Sequence, residues 1–311
     1  MASPSVRTGF LGPLGTFTEQ ALLTQSDLAG GELVPLPSIP DVLAAAAAGG
    51  IDLGFVAIEN SIEGSVNVTI DTLAFEADLL IQREVVISVQ LNLLAPPGTS
   101  LADVSRVLSF PHATAQCRGF LGRELPGVET VAANSTAEAA RLVGEGRGQG
   151  DAAIGTALAA KLYDLEILAT DVEDHPENAT RFVVVAPRGI PAPTGHDKTT
   201  IVIFQNADRP GSLLSILQEF AVRAINLTKL ESRPTKRGLG DYCFIIDLEG
   251  HVDDELVADC LRNLKSKQAD VKFLGSYPAA GERAHEVRRE ADAGWREADR
   301  WLAGLRGEIG R

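Results

Sequence analysis

The sequence predicts an α/β protein in two folded parts: a two-lobed α/β region over residues 6 to 186 and a ferredoxin-like βαββαβ region over 198 to 278. A helical tail follows. Three observations carry this. Through the first part, short apolar runs alternate with alanine-rich helical stretches, the pattern of parallel strands joined by crossover helices. The segment Pro187-Arg-Gly-Ile-Pro-Ala-Pro-Thr-Gly-His-Asp197 then separates two strand-like runs, Phe182 to Ala186 and Thr199 to Phe204, as a linker does. Finally, a chain of 311 residues that is 45% hydrophobic has material for about two cores.

Helix starts in the first part are legible. Thr16 with Glu19 and Ser135 with Glu138 have capping-box spacing, and Ser38 with Asp41 is a looser version carrying Pro40 in the first turn. Gly50-Ile-Asp-Leu-Gly-Phe-Val-Ala-Ile58 follows one alanine-rich helix and Gly150-Asp-Ala-Ala-Ile154 follows another, Ala137 to Gly146. This suggests two lobes of similar plan. The second part reads as strand Thr199 to Gln205, helix Ser212 to Arg223, strand Leu227 to Ser232, strand Tyr242 to Leu248, helix Asp254 to Lys267 and strand Val271 to Ser276. Leu213, Leu214, Leu217, Phe220 and Ala221 fall on one face of the first of those helices, and that face is expected to be core. After Ala279 the apolar residues Val287, Ala291, Trp295, Ala298, Trp301 or Leu302, Leu305 and Ile309 recur at helical spacing, which predicts an amphipathic helix packed on the body or on a partner subunit.

Composition removes several function classes. With 28 basic and 42 acidic residues the formal charge is -14, unsuited to a surface that neutralises phosphates, so nucleic acid is not an expected partner. No apolar stretch reaches about 18 residues and the amino terminus has no basic segment followed by an apolar one, so neither a membrane span nor secretion is expected. Cys117, Cys243 and Cys260 are odd in number and far apart, which offers neither a disulfide framework nor zinc spacing and fits a reducing cytoplasm.

Four polar clusters sit where α/β proteins bind ligands. Gly9-Phe-Leu-Gly12-Pro-Leu-Gly15-Thr16 follows a short strand and opens a helix, but its spacing is G-x-x-G-x-x-G. The next strand, Leu33 to Leu36, ends in Pro37-Ser38 where a ribose-binding acid belongs, so no nicotinamide cofactor is expected. Such a turn either merely caps its helix or cradles a carboxylate. Glu59-Asn-Ser-Ile-Glu-Gly-Ser-Val-Asn67 lies just beyond the strand Leu53 to Ile58; it reads equally as a ligand loop or as a connection with Asn67 as helix cap. Ser109-Phe-Pro-His-Ala-Thr-Ala-Gln-Cys117 follows the strand Arg106 to Leu108. Pro111 starts a helix there, Gln116 falls one to two turns in, His112 reads as a surface residue and Cys117 as a buried one. Asp171 to Phe182 is an acidic loop entering a strand; its His175 has no second ligand group at metal spacing, so no metal site is expected. Thr180-Arg181 at that strand's start either presents a hydroxyl and a cation to an anion or is ordinary strand polarity.

Taken together, Gly12-Pro-Leu-Gly-Thr-Phe17, Ile58 to Asn67, Asn134-Ser-Thr-Ala-Glu-Ala-Ala140, Asn178-Ala-Thr-Arg-Phe182 and Asn226-Leu-Thr-Lys-Leu-Glu-Ser-Arg-Pro234 resemble, in order, the motifs of the monofunctional bacterial prephenate dehydratases. The chain departs from that pattern at Ser109-Phe-Pro-His112, where many members have Ser-His-Pro, and at Gly211-Ser-Leu-Leu214, where Gly-Ala-Leu is commoner.

The resemblance implies a catalytic domain over 1 to 187, similar in fold to the type II periplasmic binding proteins, with the site in its cleft. It further implies an ACT regulatory domain over 198 to 278 that binds phenylalanine between subunits of a homodimer or homotetramer. The implied reaction is cofactor-free conversion of prephenate to phenylpyruvate. Thr180 would act on the leaving hydroxyl, Asn60, Ser61 and Gln116 would orient the substrate, and Arg181 or the turn Gly12, Gly15, Thr16 would hold a carboxylate. Gly211, Ser212, Leu213, Leu214, Asn226, Leu227, Glu231 and Ser232 are the implied phenylalanine site. Arogenate turnover and non-catalytic metabolite sensing are the rival readings.

Overall fold

The computed structural model of the chain describes residues 5–146, 150–205, 209–236, 238, 241–268, 270–280, 300–301 and 304–307. Its contacts divide the chain into two compact units, Met1–Gly189 and Ile190–Arg311.

In the first unit the elements run β1 (Arg7–Leu11), α1 (Phe17–Leu23), α2 (Ser26–Ala29), β2 (Glu32–Leu36), α3 (Ile39–Ala47), β3 (Leu53–Asn60), β4 (Gly64–Ser65), α4 (Asn67–Asp71) and β5 (Leu80–Ser88). They continue through β6 (Asn92–Ala95), β7 (Arg106–Ser109), α5 (Pro111–Ala115), α6 (Arg118–Glu124), β8 (Glu129–Ala132), α7 (Thr136–Gly144), β9 (Asp151–Gly155), α8 (Ala157–Leu162), β10 (Glu166–Ala169) and β11 (Ala179–Ala186). Two sheets result. One has the order β2-β1-β3-β11-β5 with β4 hooked onto β3, and the other β10-β6-β9-β7-β8. Strands β1, β2 and β3 are mutually parallel, as are β8, β7 and β9, because helical crossovers join them. The chain leaves the first sheet after β5 and returns to it as β11, antiparallel to both of its neighbours.

Those two crossings between the lobes are tied to each other. The Val89 amide donates to the Asn178 carbonyl (2.8 Å), the Val172 amide to the Leu91 carbonyl (2.8 Å), and the Leu91 amide to the Glu173 carboxylate (2.7 Å). Each lobe has its own core. Phe10, Leu22, Phe55 and Phe182 fill the first, with the Phe55 and Phe182 rings stacked 5.2 Å apart, and Leu93, Val107, Cys117 and Ile154 anchor a second. All three expected caps form: Thr16, Ser38 and Ser135 hydroxyls accept from the amides of Glu19, Asp41 and Glu138, each worth about 1 kcal/mol.

The second unit runs β12 (Asp197–Phe204), α9 (Ser212–Ala221), β13 (Leu227–Pro234), β14 (Tyr242–Glu249), α10 (Glu255–Lys267) and β15 (Asp270–Pro278). Its antiparallel sheet has the order β13-β14-β12-β15, which is the ferredoxin-like arrangement. Both helices cover one face, where Ile201, Ile203, Phe244, Ile246 and Leu248 meet Ile216, Phe220, Val257 and Leu264.

Several expectations shift. The core stripe of α9 is Ile216 and Phe220, whereas Leu213, Leu214 and Ala221 are exposed. Leucines at neighbouring helix positions span too wide an arc for one sheet face to cover. Val66, not Asn67, caps α4. Gln116 stands at the carboxyl end of the short helix α5 rather than inside a longer one, since Cys117 breaks the run before α6. Both β3 and β11 extend beyond their apolar runs, so Asn60, Thr180 and Arg181 are strand residues. Most of the amphipathic tail lies outside the described residues.

All three cysteines are buried and outside any disulfide, and burial pushes the thiols of Cys117 and Cys260 up to about 12. For Cys117 the neighbouring carboxylates of Asp174 and Glu173 act in the same direction. A neutral thiol in the fold and an ionisable one in the unfolded chain set the sign: each site's contribution is complete below pH 9 and declines by about 1.4 kcal/mol per pH unit as pH rises toward 12. Ellman titration of the native protein at pH 8 is therefore expected to detect essentially no thiol, and titration in guanidinium all three.

Candidate active site

Between the two lobes of the first unit lies a cleft of about 900 Å³, lined from one side by Gly12, Pro13, Thr16, Thr18, Asn60 and Glu63 and from the other by Phe110, His112, Gln116, Asn134, Ser135, Thr136, Glu138 and Arg141. Asn178 and Thr180, where the second crossing becomes β11, complete it. The register of β11 against β3 sets Thr180 opposite Asn60. Two side chains far apart in sequence thus share one edge of the cleft.

The Asn60 amide has its two ends fixed by different partners. Its carbonyl oxygen accepts from the amides of Ile62 (2.9 Å) and Glu63 (3.0 Å), so its Nδ2 points the other way and donates to Asn178 Oδ1 (2.8 Å), Thr180 Oγ1 (3.0 Å) and the Ala179 carbonyl (3.2 Å). A hydroxyl that accepts keeps its own proton to donate. The Thr180 O–H is therefore available to a group in the cleft.

Asn178 is the hub. It is 1% exposed, its Oδ1 receives Asn60, and its Nδ2 donates to Gln116 Oε1 at 3.1 Å. The Gln116 amide Nε2 in turn donates to Glu63 Oε1 (3.4 Å), whose other oxygen lies 3.3 Å from His112 Nδ1. This chain of contacts runs from one lobe to the other and orients the Asn60 and Gln116 carboxamides at the cleft. Ser61 works from behind: its hydroxyl accepts from the Ala179 amide (2.9 Å) and its own amide donates to the Ala179 carbonyl (2.9 Å). It pins the backbone beside Thr180 and does not line the cleft.

The glycine turn is held from both lobes. Gly12 donates to the Leu36 carbonyl (2.9 Å), the Gly15 carbonyl accepts from Thr156 Oγ1 (2.8 Å), and Tyr163 OH donates to the Leu14 carbonyl (3.1 Å). Gly15 has φ +89°, and an added Cβ there would lie 3.2 Å from Ala159 Cβ, so glycine serves both the turn and the close approach of α8. Gly12 and Thr16 line the cleft; Gly15 does not.

Arg181 is the clearest departure from expectation. Successive strand residues face opposite sides, so with Thr180 at the cleft, Arg181 points away from it. Its Nε is 2.6 Å from Glu84 and its Nη1 3.2 Å from Glu59, with 10% of its side chain and 1% of that of Glu84 exposed. It is a structural cation. The arginine that does line the cleft is Arg141 on α7, which sequence reasoning passed over although Asn134, Glu138 and Arg141 recur at i, i+4 and i+7 behind a capped helix start. Asn178 and Glu63 were likewise inside quoted motifs without a role. Among the described residues, no group of three His, Cys, Asp or Glu is placed to hold a metal.

In the second unit, Gly211 (φ +86°) caps α9, Ser212, Leu213 and Leu214 form its first turn, and Asn226 precedes β13 with its side chain exposed. Ser232 pairs with Phe244 on the helix-covered face, as Leu227 does with Leu248. Glu231 pairs with Ile245 on the opposite face, where it meets Lys229 (3.5 Å) and Arg233 (3.1 Å). Within the chain Glu231 therefore faces away from Leu227 and Ser232.

Comparison with known proteins agrees with this division. The prephenate dehydratase family model matches residues 8–189 and the ACT domain model residues 200–266. A prephenate dehydratase of Mycolicibacterium vanbaalenii is 45% identical, covering 96% of this chain and 97% of its own. The crystal structure of a prephenate dehydratase in complex with L-Phe, from Arthrobacter aurescens, aligns with a TM-score of 0.85 at 39% identity over 96% of this chain and 99% of its own. A structure described as GqqA, "a novel type of quorum quenching acylases", aligns with a TM-score of 0.78 at 33% identity over 88% of this chain and 98% of its own.

The position of Arg181 makes a testable distinction. Replacing it with methionine removes the guanidinium that two carboxylates face, one of them buried, and is expected to lower unfolding stability by about 3–5 kcal/mol. Urea titration of the variant against the parent measures it; equal midpoints and slopes would refute the assignment.

Proposed function

Starting from the fact that the chain belongs to the prephenate dehydratase family, we propose that it is a carbon–oxygen lyase that removes carbon dioxide and hydroxide from prephenate to give phenylpyruvate. The observation that carries this reading is the Thr180 hydroxyl: it accepts from Asn60 Nδ2 at 3.0 Å and keeps its proton for the cleft. Loss of the ring carboxylate as carbon dioxide leaves its electron pair in the ring, and departure of hydroxide from the opposite carbon completes an aromatic system. Aromatisation supplies the driving force, so no covalent nucleophile or electron sink is required. The protein's task is to hold a dianion in register and to make hydroxide a better leaving group.

In this scheme Thr180 donates to the departing hydroxyl, directly or by relaying a proton through water, since a threonine is itself a weak acid. Asn60 and Gln116 orient the ring through hydrogen bonds, and Ser61 acts indirectly by fixing the Ala179 backbone. Acyl transfer in the same cleft is the weaker reading: it calls for a hydroxyl or thiol activated by a base, and among the described residues His112 bonds the Glu63 carboxylate and no hydroxyl. Between prephenate and arogenate the difference is a keto group against an amine, and turnover of the two substrates distinguishes them.

The reading extends to regulation. The Arthrobacter aurescens relative is described in complex with L-Phe, and we assign phenylalanine as effector of the ACT unit in a homodimer or homotetramer, in a reducing cytoplasm suited to buried cysteines outside any disulfide. Its carboxylate needs N–H donors, which the start of α9 at Gly211–Leu214 presents, and its ammonium needs oxygens, for which Asn226 is suited. Inhibition requires that phenylalanine prefer a state whose cleft is less competent.

Two measurements test these assignments. Thr180→Val is expected to lower kcat by about 100- to 10,000-fold with little change in KM, because the bond to the leaving hydroxyl strengthens in the transition state; an unchanged kcat moves the acid elsewhere. Calorimetry is expected to find phenylalanine binding weakened by a non-reacting prephenate analogue and weakened again in Asn226→Ala, since linkage is reciprocal. Equal affinity in all three conditions would overturn the assigned effector site.

A further inference from the structure

A dianionic substrate needs a cation, and the arginine expected to supply it is committed elsewhere. Arg181 faces away from the cleft into Glu59 and Glu84. Among the described residues that line the cleft, Arg141 is the one arginine, and no lysine lines it. The remaining basic group, His112, already faces Glu63.

Arg141 is built to exchange partners. Its Nη1 contacts Glu145 one helical turn on, both side chains being about 40% exposed (39% and 42%). An exposed i, i+4 pair of this kind contributes little. A guanidinium has five N–H donors in a planar fork that matches a carboxylate with two parallel hydrogen bonds, and the contact with Glu145 uses one of its nitrogens. The two carboxylates in the cleft wall are engaged already: Glu138 accepts from the Asn134 amide at 2.7 Å, and Glu63 from Gln116 at 3.4 Å. Arg141 lines the same cleft as Gly12, Pro13 and Thr16 of the glycine turn.

Resting on the reading of the cleft as a prephenate site, we propose that Arg141 binds the side-chain carboxylate of the substrate, exchanging Glu145 for it beside the Gly12–Thr16 turn. The choice between the two carboxylates follows from the chemistry. The ring carboxylate leaves as carbon dioxide, and a tight ion pair would stabilise it in the ground state and slow its departure. The side-chain carboxylate keeps its charge from substrate through product. A fork fixed on it anchors the molecule without opposing the reaction.

This assignment predicts a particular kinetic split. Arg141→Ala is expected to raise KM for prephenate by about 10- to 100-fold, the usual range for losing a charge-assisted pair, with kcat within about twofold. The inhibition constant of phenylpyruvate, which retains the same carboxylate, is expected to rise by the same factor. Arg141→Lys keeps the charge without the fork and falls between. Glu145→Gln, which removes the charge of the resting partner, leaves KM unchanged or lower. A wild-type KM in Arg141→Ala and Arg141→Lys overturns the inference, as does a raised KM with an unaltered phenylpyruvate constant, which would assign Arg141 to the departing carboxylate. Failure of the wild-type protein to turn over prephenate would instead overturn the reading of the cleft, so the two failures are distinguishable.

Discussion

The arrangement of the catalytic unit depends on the insertion of β11 between β3 and β5. That strand is the chain's return from the second lobe, and its antiparallel register sets Thr180 against Asn60. Shifting it by one residue would turn Thr180 inward and Arg181 toward the cleft, since neighbouring strand residues face opposite sides. The register is held by buried groups on both sides: the stacked Phe55 and Phe182 rings in the core, and the ion pairs of Arg181 with Glu59 and Glu84. One cleft-facing residue, Thr180, is thus followed directly by two structural ones, Arg181 and Phe182.

Arg181 and Arg141 divide two electrostatic tasks. A cation that fixes a fold and a cation that binds a substrate face opposite demands. The first gains from burial among carboxylates that hold it still, and its removal leaves a buried charge uncompensated. The second must be exposed enough to meet its ligand and weakly enough paired to change partners. Arg181 has the first environment and Arg141 the second. Asn178 joins the two sides of the cleft without charge. A buried carboxamide donates and accepts at once, and so it aims Asn60 and Gln116 from opposite lobes.

In the ACT unit the sheet is covered by helices on one face, and Leu213 and Leu214 at the start of α9 stay exposed. Exposed leucines beside a glycine-led helix start give an apolar surface next to backbone donors. An amphiphile with an aromatic side chain, a carboxylate and an ammonium has matching chemistry. Glu231, on the other face of β13, reads as a member of the Lys229 and Arg233 ion-pair row rather than of that surface.

How much was legible in the sequence follows from the range of the forces involved. Capping boxes, the linker and the ferredoxin-like order of strands and helices are written in local residue choice, and Thr16, Ser38 and Ser135 cap as their spacing implies. The α/β class followed from apolar periodicity, which is equally local. The family resemblance pointed to Asn60, Gln116 and Thr180, and all three line the cleft. Three things were decided only by tertiary packing: that Arg181 turns away, that Asn178 links residues 62 and 118 positions away, and that Arg141 is the cleft's arginine. Each depends on strand register or on which helix face meets the other lobe, and these are set by long-range burial and pairing that no local sequence pattern encodes.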